Sequence, residues 1–308
     1  MTGGRLIVAW RLAAALLLAA LVCAPVTARQ SSTFKSDTDL VVLHVTVFDE
    51  RSDAVPGLPA QVFHVTEDGE PQDITFFSSA DMPVAVGLVL DGSASMIGRH
   101  RLVLDGGEAF VRASRGGDEL FTMQFNERAE LGLPPTVPFT NQASLLRAAL
   151  GRYRPGGQTA LFDAVIAAVD HLERATHQKR VLVVLSDGED NASTRTERDM
   201  LERVRRSDAI VYTVSNAKPG YGQDADPRVL RRLAQASGGV AYFPDSDEDA
   251  VESFNEIAGN VRRGYLIGYV PGNAAHDGGF RRVELRVRVP GRPRLTVRSR
   301  EGYEARAH

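Results

Sequence analysis

Cysteine is almost missing from this 308-residue chain: its one copy, Cys23, sits in an apolar N-terminal stretch. That excludes a disulfide framework, so stability has to come from an apolar core and any bound ion. A surplus of one charge sign is missing as well. The formal net charge of −3 gives no overall pull toward nucleic acid. Three catalytic signatures do not occur: H-E-x-x-H, G-x-S-x-G and the phosphate loop G-x-x-x-x-G-K-[S/T]. Zinc-dependent hydrolysis, nucleophile-elbow acyl transfer and P-loop chemistry therefore have no visible carrier. What is present is an ordinary globular composition, 43% hydrophobic and 24% charged, with length for about two domains.

Residues 1–28 read as a secretory signal peptide. Arg5 and Arg11 give a positive start, Leu12 to Ala24 is an apolar run too short to span a bilayer, and Val26-Thr27-Ala28 offers a cleavage site. The alternative is an uncleaved N-terminal anchor, if Leu6 to Trp10 also insert. Val22 before Cys23 is not the small residue that a lipoprotein signal needs. The chain is thus expected to be exported, to a bacterial periplasm, cell envelope or medium, with no other membrane association. A polar linker follows over 29–37.

The centre of the sequence is Val84 to Met96. An unbroken apolar run, opened by Pro83 and stopped at Asp91, predicts a strand buried on both faces. Asp91, Ser93 and Ser95 follow in the pattern D-x-S-x-S, where ligands bind past the carboxyl ends of parallel strands. They are hard oxygen donors, suited to a hard divalent cation that keeps positions free for water or ligand. Two later stretches can complete the set. Gly156-Gly157-Gln158-Thr159 is a Gly-rich loop opening a helix, and Val181 to Leu185 is a second apolar strand, ending in Ser186-Asp187-Gly188-Glu189.

These three segments, in this order, resemble the von Willebrand factor A domain and its metal-ion-dependent adhesion site over roughly 83–260. The resemblance implies a coordinating set of Asp91, Ser93, Ser95, Thr159 and Asp187 around Mg²⁺ or Mn²⁺. It also implies an open position for an Asp or Glu carboxylate of a protein partner. Met96, Gly157, Gln158 and Glu189 are expected at the rim that meets that partner. Strand and helix alternate over 81–262, which predicts an α/β fold: a doubly wound, mostly parallel sheet with helices on both faces.

The flanks have period two. Leu40 to Phe48 alternates, with Val41, Leu43, Val45 and Val47 on a buried face and His44 and Thr46 on the other. Val62 to Thr66, a turn at Asp68-Gly69, and Ile74 to Phe77 read as further strands. Tyr265 to Val270, Arg282 to Val289 and Arg294 to Arg298 form a second group. Neither group has enough strands to be stable alone. Segments 38–80 and 263–308 are therefore expected to combine into one small antiparallel β-sandwich, with 81–262 inserted between them. Their motifs Pro56-Gly57-Leu58, Glu67-Asp68-Gly69, Tyr265 to Tyr269 and Arg300-Glu301-Gly302-Tyr303 resemble exported bacterial proteins described as VWFA-related, frequent in Acidobacteria. Eight arginines between Arg281 and Arg300 read as the solvated face of these strands, with a basic face for an acidic polymer or lipid surface as the alternative. Asn191-Ala192-Ser193 reads as a loop. The functional expectation is a metal-dependent protein-binding or adhesion module, not an enzyme. The alternatives are an envelope assembly protein whose metal only stabilises it and, behind that, a metal-dependent hydrolase.

Overall fold

The computed structural model describes residues 40–51, 53–79, 82–217, 225–292 and 294–305. The expected signal peptide and linker lie outside the described residues. So does most of the polar loop after Ala217. Every described residue falls within one compact unit, Asp39–His308. Among them no helix is long and apolar enough to cross a membrane.

The N-terminal strands are β1 (Val41–Phe48), β2 (Phe63–Glu67), β3 (Glu70–Gln72) and β4 (Ile74–Ser78). The α/β part carries β5 (Ala85–Asp91), α1 (His100–Ala113), β6 (Glu119–Phe125), β7 (Ala129–Leu131), α2 (Ala143–Gly151) and α3 (Leu161–Leu172). It continues with β8 (Arg180–Ser186), α4 (Glu197–Arg206), β9 (Ile210–Ser215), α5 (Pro227–Ser237), β10 (Ala241–Tyr242) and α6 (Asp247–Arg263). The last strands are β11 (Tyr265–Tyr269), β12 (Phe280–Val287), β13 (Thr296–Arg298) and β14 (Gly302–Glu304).

The central sheet has the order β10-β9-β8-β5-β6-β7. It is parallel except for β7, which runs against β6. All seven residues of β5 are buried, as an apolar run covered on both faces requires. Alternate residues feed two cores. Val86, Leu88 and Leu90 pack with α1 and α6 through Val103, Phe110, Phe254 and Ile257. Ala85 and Val89 pack on the other side with α3, α4 and α5 through Leu161, Val165, Val204 and Leu233. The α/β expectation therefore holds. Chain order reverses at β5, whose neighbours are β6 on one side and β8 on the other. A crevice at the carboxyl ends of β5 and β8 is where a doubly wound sheet places its ligand.

The flanks form two four-stranded sheets, β13-β1-β11-β4 and β14-β12-β2-β3. Each draws strands from both ends of the chain: β1 pairs with β11 and β2 with β12, all antiparallel. Their shared core contains Leu43, Val45, Phe63, Val65, Ile267 and Val283. The flank motifs meet inside it. Glu67, 3% exposed, accepts hydrogen bonds on Oε2 from the hydroxyls of Tyr269 (2.7 Å) and Tyr303 (2.9 Å). Tyr265 accepts from the Leu58 amide (3.0 Å) and donates to the Val55 carbonyl (2.6 Å), which holds the Pro56-Gly57 loop against β11.

Two expectations about the flanks are corrected. The Asp68-Gly69 turn, with φ of +50° and +90°, pairs β2 with β3 and not with Ile74–Ser78. The chain then passes to the opposite sheet, where β4 pairs with β11. Pro71 lies in β3, an edge strand, where its missing N–H costs no ladder bond. Second, β1 has no solvent face, because all eight residues are buried. The side carrying His44 and Thr46 packs toward the α/β layer, beside Lys179, Tyr212 and Gly264. Period two marks which residues share a face, not whether a second layer covers the other one.

The Thr140 hydroxyl accepts from the Gln142 amide (3.0 Å), and α2 starts one residue later without a side-chain cap.

Candidate metal centre

Asp91 ends β5 and is fully buried. Its Oδ1 accepts from the Ser93 amide (2.9 Å), and its Oδ2 from the Ser186 hydroxyl at the end of β8 (2.9 Å). The Tyr153 hydroxyl donates to its backbone carbonyl. Burial pushes the Asp91 carboxyl up to about 6; its bonds to Ser93 oppose the rise, and the nearby Asp187 carboxylate adds to it. The groups acting on this carboxylate are thus neutral donors and a second anion. A buried anion without a cation is costly, and a divalent ion would relieve the cost.

Ser93 and Ser95 leave β5 in a short 3₁₀ turn, with their hydroxyls 3.0 Å apart. Ser93 is buried and Ser95 exposed, so the pair runs from the interior to the surface. The Gly-rich loop is laced onto this turn. Gly156 donates to the Gly92 carbonyl (2.7 Å), and the Gly157 carbonyl accepts from Ala94 (3.1 Å). Gly157 has φ +83°, and a Cβ there would lie 2.4 Å from the Glu127 carboxylate, so the position requires glycine. Glu127 in turn accepts from the Gln158 amide (2.9 Å).

Thr159, 3% exposed, is held from the β8 side: its amide donates to Asn191 Oδ1 (2.8 Å), and its carbonyl accepts from the Asn191 amide (2.9 Å). The same loop caps α3, through Asp190 on the Phe162 amide (2.9 Å) and Ser193 on the Asp163 amide (3.1 Å). Asn191-Ala192-Ser193 is therefore a clamp between the loop after β8 and the start of α3. Asp187, 9% exposed, accepts from the Glu189 amide (3.0 Å). Gly188 follows at φ +86°, with its Cβ position 2.2 Å from the Asp226 carbonyl.

Two carboxylates and three hydroxyls near the strand switch point form a donor set whose chemistry fits a hard divalent cation. Among the described residues no group of three or more His, Cys, Asp or Glu is placed to hold a metal. This site differs from such clusters because hydroxyls supply most of its donors. Of the expected rim residues, Gly157 and Gln158 are exposed and Glu189 is half-buried. Met96 is corrected: it is fully buried and packs in the core beneath the turn, against the α1 and α6 side of the sheet. Ile97, the next residue, is 67% exposed. Sequence reasoning assigned no role to Ser186, Tyr153 or Asn191, which position the donors. Ser186 stands directly before Asp187 in the quoted motif; Tyr153 and Asn191 carry no local signal.

A family model described as the von Willebrand factor type A domain matches residues 86–257. No curated protein matches the chain. Among solved structures, a von Willebrand factor type A protein from Catenulispora acidiphila is similar at 16% identity and a TM-score of 0.52; the match covers 89% of this chain and 75% of that one. The PilB minor pilin from Streptococcus sanguinis is similar at 12% identity and a TM-score of 0.48, over 60% of this chain and 63% of that one. The vWF domain of the type V pili tip protein Mfa5 from Porphyromonas gingivalis gives 11% identity and 0.48, over 59% and 96%. At such identities the likeness concerns the fold, and it rests on the first of the three.

Proposed function

The chain belongs to the von Willebrand factor type A domain family, and from that premise we propose that it is an exported, metal-dependent protein-binding module. Asp91, Ser93, Ser95 and Thr159 would hold Mg²⁺ or Mn²⁺, with Asp187 bound directly or through water. The ion, when bound, supplies an electrophilic position for an Asp or Glu carboxylate of a protein partner. The chain's own residues do the rest. Ser186 and the Ser93 amide orient the Asp91 carboxylate, Asn191 fixes Thr159, and Gly157, Gln158, Glu189 and Ile97 frame the mouth that a partner meets.

The observation that carries this reading is the Asp91 carboxylate, fully buried beside a second carboxylate and bonded only by neutral donors. Such an arrangement is unfavourable for a protein that never takes up a cation there. The test is a thermal melt of the full chain in EDTA and with Mg²⁺ or Mn²⁺, for wild type and Asp91→Ala. A cation-dependent rise of several degrees in wild type alone is expected, since an ion that binds only the folded state stabilises it by mass action. Partner capture should then be lost in EDTA and in the variant. An equal response in both proteins, or none in wild type, refutes the site. A metal-dependent melt with metal-independent capture favours the assembly reading.

A further inference from the structure

A groove of about 790 Å³ lies away from the metal centre, where the α/β layer meets the flanking sheets. One wall is the end of α5 and the start of β10; the other is β12 and β13. Three strand edges open onto it. β10 ends the central sheet, β13 ends its own sheet, and β14 covers the outer edge of β12 only as far as Val283, whose amide donates to Glu301 (2.8 Å). Uncovered edges carry backbone donors and acceptors that another strand can use.

The side chains of the groove have a consistent charge. Arg231, Arg286, Arg298 and Arg300 line it against only two carboxylates, Glu284 and Glu301. Both carboxylates are already engaged, Glu284 by Arg286 (2.9 Å) and Glu301 by the Gln235 amide group (3.0 Å). Arg231 lies over the Phe243 ring at 4.3 Å, and Arg298 sits 6.0 Å from the Phe48 ring. Among the described residues neither has a carboxylate partner. Arg300, 6% exposed, is pinned by the Ser207 carbonyl (3.1 Å) and Asp208 (3.6 Å), and its Nε has no partner. Val240, Phe243, Leu285 and Val297 add apolar surface between the guanidinium groups. The arginines that read in the sequence as one solvated face are thus divided by the fold: some do face water, while Arg298 and Arg300 converge with Arg231 of a distant helix on one slot.

We propose that this groove is a second binding site, independent of the metal centre, that takes an extended acidic segment of a protein partner as an added strand. Alternation sends successive side chains of a strand to opposite faces. A segment that carries both apolar and acidic residues can set the first on Val240, Phe243, Leu285 and Val297 and the second on the arginines interleaved with them. Its backbone pairs with the open edge of β12 or β13. Guanidinium groups bind carboxylates bidentately, which gives the docking register as well as attraction.

The test uses the full chain in EDTA, so that the metal site contributes nothing and its failure is separately visible. A fluorescein-labelled peptide of alternating Val and Glu is titrated and followed by anisotropy, with a Val/Lys peptide as control. Saturable binding of the Glu peptide is expected. Its affinity should fall by roughly tenfold or more in the exposed-residue variant Arg231→Glu/Arg298→Glu, which should in turn gain affinity for the Lys peptide. Hydrogen exchange should slow at the outward-facing amides of Leu285, Val287 and Val297 when peptide is bound. Absence of Glu-peptide binding, equal affinity in the double variant, or binding without slowed exchange at these edges overturns the proposal. So does binding of heparin or anionic vesicles with none of the peptide.

Discussion

Acidification should weaken this fold through one residue, His44, by an amount the structure sets. The ring is 7% exposed, its Nε2 has no partner, and it lies between Lys179, Arg300 and Arg180. Burial, then the Lys179 and Arg300 charges, push its pKa from 6.5 down to about 3. The unfolded chain therefore binds a proton below about pH 6.5 that the folded chain refuses until about pH 3. Stability contributed by the neutral ring is complete above pH 6.5 and is lost as pH falls toward 3. The loss is about 1.4 kcal/mol per pH unit within that window. Between pH 7.5 and 4.5 only the part below 6.5 counts, which comes to about 3 kcal/mol. In a chain of this size that corresponds to roughly 6–12 °C in melting temperature. Carboxylates titrate over part of the same range, so the measurement is a difference. Urea unfolding in EDTA is followed by circular dichroism at both pH values for wild type and His44→Gln, which cannot take up the proton. The stability gap between the two proteins should shift by about 3 kcal/mol in favour of the variant on going to pH 4.5. A gap that stays constant would refute the reasoning and place the lost stability elsewhere.

Three further outcomes follow from particular contacts. Ser186→Ala removes the donor to Asp91 Oδ2 and should weaken Mg²⁺ or Mn²⁺ binding by roughly 10–100-fold in calorimetric titration, with the fold retained. Tyr303→Phe removes one of two hydroxyls bonded to buried Glu67 and should cost roughly 1.5–3 kcal/mol in denaturant unfolding, because the carboxylate loses a donor that water cannot replace. Gly188→Ala forces a Cβ at φ +86° and into the Asp226 carbonyl. It should destabilise by at least about 1 kcal/mol and weaken cation binding, since the loop carrying Asp187 has to move. Calorimetry alongside a melt separates the two effects.

Much of the α/β layer was legible because its signals are local. A short apolar run bounded by Pro83 and a polar turn at Asp91 reads as a strand buried on both sides. The helices Glu197–Arg206 and Pro227–Ser237 begin where Thr196 with Asp199, and Asp226 with Pro227, satisfy the first free amides. The candidate donors were legible for the same reason, since Asp91, Thr159 and Asp187 each sit at a strand end or helix start. Contacts made across long stretches of sequence were not legible. Glu67 meets Tyr269 and Tyr303, and Tyr265 holds Leu58, across some 200 residues. No periodicity encodes such pairs.

The sequence by itself determined the order of elements in the α/β layer, the two-sided burial of β5 and the oxygen-donor chemistry at its end, because each depends on neighbours within a few residues. Only the tertiary structure decided the rest. It buried Met96 and left Ile97 exposed, because the turn after Ser95 aims one side chain down and the next out. It closed the outer face of β1 over His44, because a second layer packs there. It also gathered Arg231, Arg298 and Arg300 around one groove, because strand pairing sets β13 opposite the end of α5. Burial and electrostatics depend on distance in space, and the fold sets that distance.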